Sequence, residues 1–416
     1  MSTVIEDVTA RRIFNSRGQE TIEVDILTTA GFGRAAAPAG ASTGKAEAVP
    51  YPEGGVNQAI RKVEDEVTPE LIGLNAEEQE TVDRVLREID GTRDFRNIGG
   101  NTACAVSIAA AEAAASSYGI PLFQHLGGTL ACKLPHPLGN VLGGGKHARG
   151  KSPDIQEFLS LPVEAKTFFE AAKANVTVHQ KISVLLRKKD ATFTGGKGDE
   201  GAWAPNIKNE EALGIVAKAC EETSRELGVK CGVGLDVAAS SLWNGKKKCY
   251  VYVNEGVKRD SGEQLEFVLR LIKDYGLVYV EDPVHEDDFR GFAELTKKAK
   301  GCLICGDDLF VTNVERLARG IKVGAGNAII VKINQVGTLT DAWKTTETAK
   351  EAQYVPVMSH RSGETASAYL AHLAMAFRCP IIKTGVVGGE RTAKINELLR
   401  IEEMLEDRGE MAGLSL

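Results

Sequence analysis

Six short apolar runs in the second half of the chain each carry, at or near their end, a residue that can handle a proton or a cation. They are "CGVGLDVAAS" with Asp236, "GLVYVEDPV" with Glu281, "CLICGDDLF" with Asp307, "AIIVKINQ" with Lys332, "YVPVMSH" with His360 and "PIIKTG" with Lys383. Three carboxylates gathered at neighbouring strand ends would repel one another and raise their own pKa values. A hard divalent cation resolves that, and an all-oxygen ligand set favours magnesium over zinc. The competing reading is three separate helix caps or solvent-facing acids, which the matched positions disfavour. Lys332 closes a run that is otherwise wholly apolar, where a charged amine is costly. Nearby cations and partial burial disfavour its protonated form, so it can serve as a base; a salt bridge to one of the acids is the alternative. Lys383 sits similarly and can stay charged to hold an anionic substrate. Spacing alone does not divide the two roles.

Other residues complete the chemistry. In "MSHRSGET", Arg361 can grip a phosphate with its planar fork and Ser362 can add a hydroxyl or an N–H. Glu200 in "GKGDEGAWAP" is expected to hold a proton if it is partly buried among other acids, and then to act as a general acid. "DIQEFLSLP" supplies Gln156 and Glu157 at the head of another apolar run, and "GGGKHARG" places His147 on a loop. A metal, a base, an acid and an anion clamp suit abstraction of a proton next to a carboxylate, followed by loss of a β-leaving group. The intermediate gains negative charge, which metal ions and a lysine would stabilise.

These residues need a scaffold that brings strand ends together. The apolar runs alternate with helical segments; after a first step of 45 residues the charged positions recur every 23–28, about the length of a barrel βα unit. The longer step before Glu281 has room for the hairpin-like "KKKCYVYVNEG". Apolar runs without alternation predict strands covered on both faces, hence a parallel barrel with its site at the C-terminal strand ends. A doubly wound sheet is the other βα solution, but no glycine-rich dinucleotide loop follows a first strand, and "GGGKHARG" lacks the strand–helix setting of a P-loop. Upstream, "TIEVDILTT" alternates as a strand, residues 56–89 carry helical periodicity, and "NTACAVSIAAAEAAASSYG" predicts a long helix ending at Gly119 and Pro121. The expected division is an N-terminal α+β domain over residues 1–130 and a barrel over 131–416, with the junction inside the Pro/Gly-rich passage near 125–138.

A chain of 416 residues with 43% hydrophobic content can bury such a two-part core. The net charge of −7 argues against nucleic acid or an anionic membrane as main partner. No signal pattern or membrane-spanning run is visible. Eight scattered cysteines suit a reducing cytoplasm, and the lone Cys302/Cys305 pair predicts buried strand cysteines rather than a zinc site.

The ordered motifs "ARRIFNSRGQETIEVDI", "AGASTG", "DIQEF", "GDEGAWAP", "LDVAAS", "VEDP", "GDDLFVTN", "VKINQVGTLT", "SHRSGET", "IKTG" and "NELLRIEE" resemble enolase over nearly the whole chain. The resemblance implies a TIM-type (β/α)8 barrel of α/β class, with a ββαα start, capped by the N-terminal α+β domain. It implies phosphopyruvate hydratase activity: reversible, Mg²⁺-dependent dehydration of 2-phosphoglycerate to phosphoenolpyruvate in glycolysis and gluconeogenesis. A Lys or His base with Mg²⁺ is the established pattern of that superfamily. By resemblance, Lys332 takes the C2 proton and Glu200 protonates the departing 3-hydroxyl. Asp236, Glu281 and Asp307 hold one Mg²⁺, and Ser42 ligates a second from a loop that closes over the substrate. Asp308 is expected to stand behind the ligands. Arg361 and Ser362 clamp the phosphate, Lys383 meets the substrate carboxylate, and His147, Gln156, Glu157 and His360 line the site. The family further implies a cytoplasmic homodimer or an octamer of four dimers, without excluding a secondary cell-surface presence.

Departures from the family pattern are Asn15 before "SRG", one extra residue between His147 and Glu157, Ala202 and Trp203, "VVGGERTAK" after "IKTG", and Ile395. They touch no expected proton carrier or metal ligand and lean toward an archaeal-type branch. Two rivals remain: an acid-sugar dehydratase or racemase of the same superfamily, which should lack "SHRSGET" and "GDEG" together, and a non-enzymatic binding role, which gives no reason for so many buried charges.

Overall fold

A computed structural model describes residues 2–41, 44–148 and 150–414. The chain opens with an antiparallel meander of β1 (Ile5–Phe14), β2 (Glu20–Thr28) and β3 (Phe32–Ala36). The alternation read from "TIEVDILTT" has its physical origin here. Ile22, Val24 and Ile26 turn inward on one face, against helix α1 (Gly100–Tyr118). That alanine-rich helix is buried on nearly every side. It lies so close to β3 that a Cβ at Gly33 would collide with the Ala109 carbonyl. The helical stretch of 56–89 is broken, between a segment ending at Leu71 and a second helix from Gln79.

The remaining strands close an eight-stranded barrel: β4 (His136–Gly143), β5 (Glu157–Pro162), β6 (Cys231–Asp236), β7 (Tyr279–Glu281), β8 (Leu303–Gly306), β9 (Ala328–Val331), β10 (Val355–Ser359) and β11 (Ile381–Gly385). It begins ββαα, with α2 (Phe168–Lys189) and α3 (Asn209–Leu227) between β5 and β6. The all-parallel expectation needs one correction, because β5 runs antiparallel to both β4 and β6. With no crossover helix between them, a strand that pairs directly with β4 after the loop of 144–156 runs the other way. Its first residue, not its last, therefore lies at the mouth. Leu138, Leu159, Leu161, Tyr279, Leu303, Cys305, Ala328, Ile330, Val357 and Ile381 pack together as a separate core cluster. Alternate residues from different strands fill the barrel this way, so it is plugged below its mouth. Cys302 and Cys305 are buried and free. The hairpin-like insertion is a small three-stranded sheet over residues 243–259.

The N-terminal elements reach the mouth by backbone pairing. Ala39 and Gly363 exchange N–H···O bonds of 2.8 Å, Ser16 N–H donates to Glu364 O at 2.7 Å, and Asn334 Nδ2 donates to Pro38 O at 3.1 Å. The stretch around Gly40 and Ala41 therefore overhangs the strand ends. Ser42 lies outside the described residues.

Candidate active site

Register builds one side of the site. Glu157 pairs across β5–β6 with Asp236, and Asp236 pairs across β6–β7 with Glu281. Three carboxylates thus stand in a row on adjacent strands, all buried. Opposite them, β11 supplies Lys383, whose Nζ lies 3.3 Å from Glu157, 3.1 Å from Asp236 and 2.7 Å from Glu281. Burial works against its charge, but those acids hold its pKa well above the usual lysine value. Lys383 is the fixed cation of this side.

Asp307 follows β8 directly and Lys332 follows β9. The Lys332 amine hydrogen-bonds the Asp307 carboxylate. Burial pulls the amine's pKa down, yet Asp307 outweighs it and carries the value above the ordinary one. The neutral Lys332 expected from the sequence therefore requires the Asp307 carboxylate to be drawn to another cation. Gln335 Nε2 donates to the other Asp307 oxygen at 2.9 Å. Asp282 accepts the backbone N–H groups of Asp307 and Asp308, at 3.1 and 2.8 Å. Its positive φ of 41° bends the chain to do so. Asp308 is pushed up to about 7 by burial and by Asp307.

The third side carries the remaining acid. Glu200 comes from the loop between α2 and α3, and its Oε2 accepts from Asn140 Nδ2 at 2.9 Å. His360 Nε2 lies 3.3 Å from the same oxygen, and His147 Nδ1 lies 3.3 Å from Glu157 and 3.6 Å from Glu200. The surroundings of Glu200 act against the rise in its pKa that burial among acids would give. Burial raises both acids, but His360, His147 and Arg391 carry Glu200 well below the usual range. Glu157 has Glu200, Asp236 and Glu281 beside it and is held well above it. The two acids are thus pressed in opposite directions. His147 is buried, and burial lowers its pKa against the pull of the nearby acids.

Arg361 is buried, with Nη1 3.1 Å from Glu47 Oε2 and 3.0 Å from Asn334 Oδ1. Ser362 Oγ is buried without a hydrogen-bond partner among the described residues. All the expected site residues except Glu281 and Ser42 line one cleft, and Glu281 lies beside it on Lys383.

The donor set fits a hard cation. Glu281 Oε1 is buried with no hydrogen-bond partner among the described residues, and Asp236 and Asp307 line the cleft. The groups whose possible ligand atoms converge most tightly are Asp282/Asp307/Asp308 and His147/Glu157/Glu200; of the three expected ligands, Asp236 and Glu281 meet at Lys383 and Asp307 at Lys332. The sequence reading missed a surrounding ring: Glu47, Asn140, Asp282, Asn334, Gln335 and Tyr279, whose hydroxyl donates to Glu281 Oε2 at 2.7 Å. Of these, only Asn334 and Gln335 carried a signal, as polar residues closing "VKINQ".

Two family models match the chain: an enolase N-terminal domain over residues 5–126 and an enolase C-terminal TIM barrel domain over residues 131–416. The enolase of Methanosphaera stadtmanae is 57% identical over 406 residues, covering 97% of this chain and 98% of that one. That of Methanothermobacter thermautotrophicus is 55% identical, covering 97% of each. That of Haloarcula marismortui is 50% identical, covering 96% and 99%. All three organisms are archaea, in keeping with the branch suggested by the sequence departures.

Proposed function

The chain belongs to the enolase family and is a phosphopyruvate hydratase, and from that premise we propose how its residues divide the dehydration of 2-phosphoglycerate to phosphoenolpyruvate. The observation that carries the reading is the interleaving of two amines with the acids of four adjacent strands at one mouth. Asp236, Glu281 and Asp307 would hold one Mg²⁺, and Ser42 a second. Bound there, the metal supplies positive charge against the substrate carboxylate as negative charge develops on it.

Lys332 is the base at C2. With its partner carboxylate committed to another cation, and with Arg361 and Lys383 nearby, burial disfavours its charged form. Lys383 stays charged and meets the substrate carboxylate. Glu200 delivers the proton to the leaving 3-hydroxyl. Burial and the neighbouring acids raise Glu157, and His147 lies against both acids, so the pair can pass one proton between them. Arg361 and Ser362 take the phosphate, with Glu47 holding the guanidinium fork in place. Gln156 donates to Asp236 at 3.3 Å and fixes that wall of the cleft. A homodimer or octamer, working in the cytoplasm, belongs to the same proposal; no helix among the described residues is long and apolar enough to cross a membrane.

The test is turnover. Purified protein with Mg²⁺ is expected to convert 2-phosphoglycerate with the rise in ultraviolet absorbance of phosphoenolpyruvate. Absence of that product, with turnover of a non-phosphorylated acid sugar instead, would overturn the assignment.

A further inference from the structure

Arg391, on helix α4 (Gly389–Leu405), is wholly buried yet is not part of the cleft lining. Its Nη1 lies 2.7 Å from His360 Nδ1 and 2.7 Å from the Arg361 carbonyl. Its Nη2 lies 2.6 Å from the Ser362 carbonyl and 3.3 Å from that of Asp199. Its Nε faces Glu390 at 3.3 Å. One guanidinium thus ties the backbone of the "SHRSGET" loop to the backbone beside Glu200.

The consequence for His360 follows from valence. An arginine has five donors, no acceptor, and does not lose its proton in proteins. His360 Nδ1 must therefore be the bare, accepting nitrogen. A neutral imidazole carries its hydrogen on the other nitrogen, so His360 is the Nε2–H tautomer. That nitrogen has no hydrogen-bond partner among the described residues; the acceptor beside it is Glu200 Oε2 at 3.3 Å, which already accepts from Asn140 Nδ2. A small turn of the carboxylate would bring both donors onto the same oxygen. The proton that Glu200 transfers is left to Oε1, the oxygen on the His147 side.

We propose that Arg391 is a positioning residue for the acid step: by fixing the tautomer of His360 it keeps an N–H poised beside Glu200 Oε2, the oxygen that accepts from Asn140, and so reserves Oε1 for proton transfer. The idea rests on the reading of Glu200 as the acid. The groups around His360 are Glu200 on one face, Arg391 on the other and Glu364 further off. The same helix adds Lys394, whose amine pairs with Glu364 at 2.8 Å and donates to the Thr365 carbonyl at 2.7 Å, so the loop is held independently when Arg391 is changed.

The experiment is a nitrogen-15 spectrum of the histidine-labelled full-length protein, with the His360 signals assigned by their loss in His360→Gln. The wild type is expected to show His360 with Nδ1 bare and Nε2 protonated; a proton on Nδ1 would overturn the proposal, and this needs no variant of Arg391. Arg391→Met is then expected to release the tautomer. Phosphoenolpyruvate formation should fall by on the order of 100-fold, within the range for general acid catalysis, with KM and C2-proton exchange changed little. In a His360→Gln background, whose amide donor does not depend on a tautomer, the same change should cost less than about threefold. An equal loss in both backgrounds would make Arg391 merely structural and sink the idea. Should Glu200→Gln keep full elimination, the acid assignment fails on its own while the tautomer measurement still stands.

Discussion

Lys332 and Lys383 look alike in the sequence, each near the end of an apolar run. Their partners separate them. Lys383 faces a row of three carboxylates fixed by strand register, so its charge is locked in place. Lys332 has one short partner, Asp307, and that partner is also an expected ligand. Only Lys332 can lose its reason to stay protonated. Residues that merely touch the ligands should matter as well. Tyr279 is fully buried and its hydroxyl is the sole protein donor, besides Lys383, to Glu281 Oε2 among the described residues. Tyr279→Phe keeps the ring in the barrel core and removes that donor. Mg²⁺ affinity is expected to fall about 10–100-fold, the usual cost of losing a partner to a metal ligand. Titration calorimetry reads this directly, and unchanged affinity would mean that Glu281 is not a ligand.

At the scale of elements, the chemistry at the strand ends was legible because burial on both faces leaves a strand apolar until it reaches the mouth. Asp236, Glu281, Asp307, Lys332 and His360 stood out for that reason. The reversal of β5 was not legible: "EFLSLP" reads as an apolar run in either direction. The surrounding ring escaped for a different reason. Asn140 and Glu200 lie 60 residues apart, and Glu47 and Arg361 lie 314 apart, so only the closed barrel makes them neighbours. Helix α1 offers a test at this scale. Its one acid, Glu112, sits half-buried against the meander, accepts the Arg34 N–H, and is pushed by burial up to about 7. A raised folded pKa means that the folded state holds this proton more tightly than the unfolded chain. Its contribution is present below about pH 4.5 and is lost as pH rises through about 7. Glu112→Gln keeps an acceptor for Arg34 and removes that dependence. The variant is expected to gain about 1–3 kcal/mol over the wild type on going from pH 5 to pH 8, partial exposure keeping the figure modest. Denaturant midpoints at the two pH values measure it; parallel curves would contradict it.

For the whole molecule, the excess of buried acid is the governing fact. Glu157, Glu281, Asp282 and Asp308 are all raised, first by burial and then by one another or by neighbouring acids. Such a cluster opposes folding unless cations answer it. The two lysines do so in part. A divalent cation binding only the folded chain would add about 2.7 kcal/mol at 100 times its dissociation constant. The melting temperature is therefore expected to rise with Mg²⁺ and to fall back on chelation. In Glu281→Gln or Asp307→Asn most of that increment should vanish while unfolding stays cooperative. An increment unchanged in both variants would place the stabilising cation elsewhere.

The central claim is that one buried amine takes the C2 proton while a separate carboxyl group serves the leaving hydroxyl. Incubating 2-phosphoglycerate with Mg²⁺ in deuterated water, and following C2 exchange and phosphoenolpyruvate together, addresses it most directly. Lys332→Ala is expected to lose both signals by orders of magnitude, whereas Glu200→Gln should keep exchange and lose elimination. Exchange that persists in Lys332→Ala would contradict the account.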